Sequence, residues 1–225
     1  MTLDRDRIRD DFDRLAAFDH AGWSHNSHYH PYLLRHLPDR PKTALDVGCG
    51  TGVFSRLLAT RCEHVTGIDL SGEMIRLARE RSVGIQNIHY EQADVLDYLQ
   101  PSRTFEVIAS IATLHHLSLE TILPRLREAL QPGGVLLVLD LYTPENHPDL
   151  LLSGLTGMIA SRFYQRWHRV PSPSAAESAA WDAHGAHDVY PRLSQMRQVC
   201  ATYLPGARVR KHLLWRYSLT WRKPA

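Results

Sequence analysis

TALDVGCGTG, residues 43–52, is the stretch of sequence that decides the fold of this chain. Its first half is mostly apolar and predicts a short buried strand. Three glycines then take every second position, Gly48, Gly50 and Gly52, and the amphipathic pattern of a helix starts at Val53. Because glycine tolerates positive φ and has no Cβ, a ligand can lie directly against this backbone, beside the N–H groups of a helix N-terminus. The stretch therefore predicts a strand, a ligand-binding loop and a helix.

The glycine spacing indicates which ligand this loop does not bind. A dinucleotide fingerprint needs G-x-G-x-x-G, but Val53 stands at its third glycine position. Asp46 precedes the first glycine, and its carboxylate would repel a pyrophosphate. The same carboxylate suits a ligand with a cationic amino group. The sequence therefore argues against a dinucleotide.

Length and composition predict one ordinary globular domain. The chain has 225 residues, of which 44% are hydrophobic and 22% charged, enough for a sizeable core. Its net charge is +2 and its basic residues are scattered, so no nucleic-acid partner is expected. Three widely spaced cysteines favour reduced thiols in a cytoplasmic protein. No apolar run reaches the roughly 18 residues of a membrane span, and the charged N-terminus does not resemble a secretory signal.

From residue 43 onward, strand and helix patterns alternate, which is typical of a parallel sheet with crossover helices. The strands after the first are expected at 64–68, 88–90, 105–110 and 135–139. A last helix at 192–203 and two strands at 209–214 and 217–221 predict an antiparallel hairpin at the sheet edge. The expected fold is α/β, a Rossmann-like three-layer sandwich with a mostly parallel seven-stranded sheet.

The remaining segments divide the single domain into four parts. Residues 1–40 are expected to form an N-terminal helical lid, and 41–142 the ligand-binding core. Residues 143–190 are rich in proline and too short for a core of their own, so they are interpreted as an insertion that caps the site. Residues 191–225 supply the last helix and the hairpin.

Four short motifs occur in an order that resembles one known family. They are LDVGCGTG at 45–52, GIDLS at 67–71, QAD at 92–94 and LQPGG at 130–134. Together they resemble the ordered motifs of class I S-adenosylmethionine (SAM)-dependent methyltransferases, over about residues 40–142. His115 and His116, after strand four, are similar to the small-molecule branch that includes the ubiquinone and menaquinone methyltransferases. The resemblance implies SAM as cofactor.

The acids at the predicted strand ends match this cofactor in order. Open α/β sheets bind ligands at the carboxyl ends of their strands. Asp46 and the glycine loop would hold the methionine amino group, and Asp69 would accept both ribose hydroxyls. Asp94 would accept from the exocyclic amine of adenine, while the neighbouring residues pack on the ring. Any one of these acids alone could be a solvated loop carboxylate, but three in order favour the cofactor site.

The resemblance extends the expected cofactor contacts to a larger set. Tyr29 and His30, in the lid, are candidates for contact with the methionine end, and Ser110 and Ile111 would line the far side. The full set of expected cofactor-binding residues is Asp46, Gly48, Cys49, Gly50, Asp69, Leu70, Met74, Ala93, Asp94, Val95, Ser110, Ile111, Tyr29 and His30.

His115 and His116 are the candidates for catalysis. Methyl transfer mainly requires the acceptor and the methyl group to be held in line. A phenol or hydroxyl acceptor also needs a general base, and imidazole titrates near working pH. The alternative is that one histidine only packs against the cofactor or the lid.

The absence of certain motifs excludes several classes of methyl acceptor. The sequence after strand four is SIAT at 110–113, which is not the acceptor motif of the amino-directed DNA methylases. No acid ends strand four, unlike the magnesium-dependent catechol type, so no metal is expected. A metal site at His25, His28 and His30 is disfavoured because no carboxylate or cysteine joins them. Aromatic residues outside the motifs indicate a small, flat or hydrophobic acceptor: Trp23, Tyr32, Phe163, Tyr164, Trp167 and Trp181.

The leading hypothesis is an O- or C-directed methyltransferase that acts on a small molecule in specialised metabolism, as a monomer or homodimer. Two alternatives stay open. One is methylation of a macromolecule such as tRNA or a protein, against which the near-neutral charge counts. The other is a protein of this fold that binds SAM without transferring methyl, since fold does not determine function.

Overall fold

The computed structural model describes residues 5–18, 24–145, 154–159, 162–163, 166 and 173–225. Its centre is one seven-stranded sheet with the strand order β3-β2-β1-β4-β5-β7-β6. The strands are β1 Thr43–Val47, β2 His64–Asp69, β3 Ile88–Gln92, β4 Phe105–Ile111, β5 Leu130–Leu141, β6 Arg208–Lys211 and β7 Arg216–Arg222.

The first five strands run parallel to one another, and β7 runs antiparallel to its two neighbours, β5 and β6. β1 pairs with β2 on one side and β4 on the other, in parallel register. β7 pairs antiparallel with β5, with Leu141 opposite Arg216, and β6 pairs antiparallel with β7. The predicted fold class, including its antiparallel C-terminal hairpin, is confirmed.

Helices lie on both faces of the sheet. They are α1 Arg5–Ala16, α2 His30–Leu34, α3 Val53–Ala59, α4 Gly72–Arg81, α5 Val95–Tyr98, α6 Leu119–Ala129, α7 Ala175–Gly185 and α8 Leu193–Tyr203. Two short 3-10 helices cover Ser27–Tyr29 and Leu114–His116. The Ser71 side chain caps α4, because its oxygen accepts from the Met74 backbone N–H at 3.0 Å.

The alternation of side chains along the strands divides the core into two layers. On one face, Leu45 and Val47 belong to a cluster packed under α6 and α8. On the other face, Ala44 packs with Phe54 and Leu58 of α3. Since both faces are buried, the central strands are apolar almost throughout, and polar side chains collect at the strand ends.

Two strands differ from their predicted bounds. β6 ends at Lys211, three residues before the predicted end at 214. β5 starts at Leu130, five residues before the predicted start at 135, so it includes the PGG sequence at 132–134. Leu130 already pairs with Phe105, and the register then shifts before Val107 pairs with Val135. Gly133, at φ +77°, absorbs this irregularity within the strand.

The N-terminal helix lies over the binding edge of the sheet. α1 packs against α4 and α7, and Asp13 of α1 accepts hydrogen bonds from the Ser71 hydroxyl and the Glu73 backbone N–H. Much of the predicted cap at 143–190, including Tyr164 and Trp167, lies outside the described residues, as does Trp23 of the lid. None of the described helices is both long and apolar enough to span a membrane.

Candidate cofactor and acceptor site

The glycine loop leaves β1 with bare backbone facing a cavity. All three of its glycines have positive φ, as expected for a turn that L side chains rarely adopt. A Cβ on Gly48 would lie 2.1 Å from the Thr113 hydroxyl, so the loop packs tightly against the segment after β4. A Cβ on Gly50 would meet nothing within 4 Å, because its Cα borders the cavity. The two glycines are therefore required for different reasons.

Asp69 ties the glycine loop to the end of β2. Its Oδ2 accepts from the Gly50 backbone N–H at 2.8 Å and its Oδ1 from the Ser71 N–H at 2.9 Å. Each carboxylate oxygen has a second lone pair, so both can still accept from a ligand. Burial raises the pKa of Asp69, although these backbone hydrogen bonds oppose that shift.

Asp46 is a buried acid whose carboxylate receives a side-chain hydrogen bond from Ser55. It is 1% exposed and its Oδ2 accepts from the Ser55 hydroxyl at 2.6 Å. Burial raises its pKa to about 7, and the nearby charge of Asp69 adds to the shift. A cationic ligand group beside Asp46 would stabilise its ionised form.

Asp94 is the N-cap residue of α5, and both of its carboxylate oxygens contact other protein groups. Its Oδ1 accepts from the Leu96 backbone N–H at 2.7 Å, which caps the helix. Its Oδ2 lies 2.8 Å from Nη1 of Arg5, in the lid helix α1. This ion pair links the lid to the end of β3, where the adenine contact is expected.

One cavity of about 840 Å³ joins these residues at the carboxyl ends of the strands. Most of the predicted site residues line it. They are His30, Asp46, Gly48, Cys49, Gly50, Asp69, Leu70, Met74, Ala93, Asp94, Val95, Ile111, His115 and His116.

Ser110 and Tyr29 lie outside the cavity wall. The Ser110 hydroxyl donates to the Val47 carbonyl at 3.2 Å, because adjacent strand residues point to opposite sides and Ile111 takes the cavity side. The Tyr29 hydroxyl donates to the Leu213 carbonyl at 2.9 Å. The hydroxyls of both residues are therefore used in contacts within the protein.

Of the predicted aromatic cap, three members are described. Trp181 lines the cavity, but Tyr32 packs against His36 and His212. Phe163 is 65% exposed. The described cavity wall is aromatic mainly through residues outside the predicted set, since Phe12, Phe54 and Tyr190 line it as well.

His115 is fixed by Asp140, at the end of β5. Asp140 Oδ2 accepts from the His115 backbone N–H at 2.9 Å, and its Oδ1 lies 2.6 Å from His115 Nδ1. Oδ1 also accepts from the Leu141 backbone N–H at 2.8 Å. Because this carboxylate acts as an acceptor throughout, the ring must donate through Nδ1–H, which leaves Nε2 as the basic nitrogen.

Asp188 lies at the centre of a buried histidine cluster. His116 Nδ1 lies 3.5 Å, His184 Nε2 3.6 Å and His115 Nε2 3.9 Å from its carboxylate oxygens. The Tyr190 hydroxyl donates to Asp188 at 2.8 Å. Burial lowers the pKa of His116 to about 3, so its imidazole is neutral and a weak base.

The cluster includes donors of the kind that bind metals. One ligand atom each from His115, His116 and Asp188 lies within 4.8 Å of the others, a spacing that a metal ion could bridge. Among the described residues, His25, His28 and His30, where a metal site was disfavoured from the sequence, do not converge in this way. His30 faces the cavity, while His28 packs on Tyr29.

Sequence reasoning missed three residues of the cavity wall near His115, namely His184, Asp188 and Arg216, and also Asp140, which lies behind His115. Asp140 had a signal, since it is an acid at the end of a buried strand. His184 and Asp188 are spaced i, i+4 near the end of α7, but nothing local links them to His115. Arg216 belongs to the hairpin and offered no signal.

Comparisons with known proteins indicate the family of this chain. A family model described as a methyltransferase domain matches residues 44–134. An uncharacterized methyltransferase of Mycobacterium tuberculosis is 31% identical over 208 residues, which cover 90% of this chain and 98% of the relative. A ubiquinone biosynthesis O-methyltransferase of Xylella fastidiosa is 34% identical over 143 residues, 57% of each chain.

The fold also matches a solved structure along its whole length. The DhpI–SAM–HEP complex superimposes with a TM-score of 0.68 at 19% identity, covering 99% of this chain and 98% of that one. That similarity concerns the fold, whereas the mycobacterial relative shares sequence over nearly its entire length. Taken with the ordered motifs around the cavity, these findings show that the chain belongs to the SAM-dependent methyltransferase family.

Proposed function

We propose that this methyltransferase transfers the methyl group of SAM to an oxygen or carbon atom of a small molecule. The observation that carries the proposal is the division of one cavity of about 840 Å³. One half holds the glycine loop and three acids, and the other holds His115 fixed by Asp140. This volume lies toward the upper end of the roughly 300–1,000 Å³ typical of ligand sites, so it can hold a cofactor and a small acceptor.

The residues of the first half fit SAM. Gly50 leaves open space against bare backbone, and Asp46 is a buried anion that a cationic amino group would compensate. Asp69 keeps lone pairs for the ribose hydroxyls. Asp94 would accept from the adenine amine, with Ala93 and Val95 against the ring, in competition with its contacts to Leu96 and Arg5.

The chain's own task is to orient the acceptor and to take its proton. When bound, SAM supplies a methyl group on a positively charged sulfur. The cavity walls hold the acceptor in line with it, which is the main source of acceleration. His115 Nε2 takes the acceptor proton, while Asp140 holds the ring in the tautomer that allows this. His116 packs beside it as a neutral imidazole.

A small acceptor is supported by the cavity volume of about 840 Å³, because the cofactor must occupy part of the same space. The Xylella relative is a ubiquinone biosynthesis O-methyltransferase, so that protein serves the synthesis of a small molecule. Residues 1–40 and 143–190 would cover the acceptor half as lid and cap.

The proposal is tested by incubating the protein and labelled SAM with three separate fractions of a bacterial lysate: metabolites, RNA and protein. We expect label in the metabolite fraction only, together with direct binding of SAM and S-adenosylhomocysteine (SAH) and no binding of NAD. Label only in RNA or protein would favour a macromolecular acceptor. SAM binding without transfer to any fraction would favour a protein that binds SAM for another purpose.

A further inference from the structure

Arg216 is a buried cation in the cavity wall. The acids of the expected cofactor site do not neutralise its charge. It is the first residue of β7 and 8% exposed. Its Nε donates to the Asn26 side-chain oxygen at 2.6 Å, and its Nη1 donates to the Leu214 carbonyl at 3.0 Å. Both partners are neutral, and Arg216 forms no ion pair with any residue that the structure describes. Within the described part of the chain, its charge therefore lacks a direct counter-ion.

The acid whose charge acts on Arg216 is already engaged by other groups. Asp140 contributes favourably to the Arg216 charge through space, but its oxygens accept from His115 and Leu141. A guanidinium has five N–H donors, and only two of those on Arg216 donate within the described protein. A buried charge is costly unless it is paired. An anion that enters the cavity would supply the missing partner.

The sheet order places this cation away from the three acids of the expected cofactor site. Those acids lie at the ends of β1, β2 and β3, whereas β7 lies on the far side of β4 and β5. Three strand spacings separate β1 from β7, which is roughly 14 Å across the sheet. Asp46, Asp69 and Asp94 line the cofactor end of the cavity, whereas Arg216 lines the other end together with Asp188. The Asp188 carboxylate is already engaged there, because it accepts from the Tyr190 hydroxyl and lies 3.5, 3.6 and 3.9 Å from three histidine nitrogens.

We infer that the acceptor carries an oxyanion group, a carboxylate or a phosphoryl group, that binds the Arg216 guanidinium. This rests on the proposed function, since it assigns the acceptor half of that cavity. Carboxylate and phosphoryl oxygens match the fork of an arginine and can accept two parallel N–H bonds. Asn26, from the lid segment, holds the guanidinium in place. The acceptor is thus oriented by its anionic group, with its reacting atom toward His115.

The test is direct binding of matched charged and neutral probes to protein saturated with SAH. Benzoate and phenylphosphonate are compared with benzamide by calorimetry. We expect at least one anion to bind at least about tenfold more tightly than benzamide, and the stronger of the two identifies the carboxylate or phosphoryl source. Arg216→Gln should abolish this preference, and Arg216→Lys should retain part of it because the charge remains without the fork.

Arg222→Gln is the matched control, because Arg222 lies on the same strand, is exposed and donates to the Gly133 carbonyl outside the cavity. It should behave as the wild type. SAH binding is measured for every variant, so failure of SAH to bind to the wild type counts against the proposed function itself. With SAH bound, a wild type that binds neither anion, or does not prefer an anion over benzamide, overturns the Arg216 assignment. An Arg216→Gln variant that keeps the preference also overturns it. If that variant does not fold, the wild-type comparison and Arg216→Lys still decide.

Discussion

Asp140 holds His115 at two points: its Oδ2 accepts from the His115 backbone N–H at 2.9 Å, and its Oδ1 lies 2.6 Å from the ring nitrogen Nδ1. The carboxylate is fully buried at the end of β5. Backbone and side chain of the same histidine are therefore fixed by one group, which is the arrangement that a positioned general base requires.

The first prediction concerns this pair. We expect His115→Gln to lower kcat by roughly 10²–10⁴-fold, the usual contribution of a general base. Asp140→Asn should lower it by roughly 10–100-fold, because it removes an acceptor that orients the ring. SAH affinity, measured by calorimetry, should stay within about twofold of the wild type in both variants. His116→Gln is the control, and a loss of kcat in that variant as large as in His115→Gln would contradict the assignment of the base.

The second prediction concerns Asp69. Asp69→Ala should weaken SAM binding by roughly 1–3 kcal/mol, because hydroxyls that it would accept from are left unpaired. Asp69→Asn should also weaken SAM binding, because its amide NH₂ would face the backbone N–H group of either Gly50 or Ser71. Calorimetric titration with SAM measures both, with the exposed Asp39→Ala as control. Unchanged affinity in Asp69→Ala would show that another group binds the ribose.

The third prediction is a pH dependence from Asp46. Burial raises its pKa from 3.8 to about 7, so the folded protein favours the neutral carboxyl. The associated stability is fully present below pH 3.8 and is lost as the pH rises through about 7. SAM, being cationic, should favour the ionised form, so its affinity should fall as the pH drops from 8 to about 6.

Two measurements check this pH dependence. Below pH 7, SAM binding should release protons, which calorimetry in buffers of different ionisation enthalpy detects. Thermal unfolding of the ligand-free protein should show a decrease in stability as the pH rises toward 7. Asp46→Asn removes the titrating group, so both profiles should become flatter; profiles identical to the wild type would assign them to another group.

The fourth prediction separates the roles of two glycines. Gly48→Ala should destabilise the fold by more than the roughly 1–2 kcal/mol of a left-handed L-residue, because its Cβ would also collide with Thr113. Gly50→Ala should incur only the backbone cost but reduce SAM affinity, since its Cβ enters the cavity. Gly84→Ala, with φ +91° and open space around it, is the control for the backbone cost alone. Thermal unfolding and SAM titration together test the three variants, and equal SAM affinity in Gly50→Ala and Gly84→Ala would be inconsistent with cofactor binding at this loop.

The fifth prediction concerns metals. We expect SAH binding and methyl transfer to survive exhaustive chelation, because the proposed chemistry uses His115 and needs no ion. Activity assays before and after chelation, with metal analysis of the purified protein, measure this. If activity is lost and returns on addition of Zn²⁺, the donor set of His115, His116 and Asp188 holds a metal, and the general-base role is wrong.

The local part of the structure was predictable from sequence because its causes are local. Apolar runs form strands wherever they can be buried, glycine alone fits the positive φ of the loop after β1, and Ser71 caps the helix that follows it. Parallel strands with crossover helices bring their carboxyl ends to one edge. The acids Asp46, Asp69 and Asp94 were therefore expected to share a site, and they line one cavity.

Only the tertiary structure decided the other half of the site, because its contacts join residues that are far apart in sequence. His115 meets Asp140 across the sheet, His184 of α7 meets Asp11 of α1, and Arg216 of β7 meets Asn26 of the lid. No periodicity or turn signal encodes such pairs, since they depend on how the lid and hairpin pack over the strand ends. The orientation of the Tyr29 side chain, which bonds to Leu213 and does not line the cavity, was likewise decided by packing. The sequence by itself determined the fold and the cofactor edge of this methyltransferase, and packing determined which histidine, acid and arginine face the acceptor.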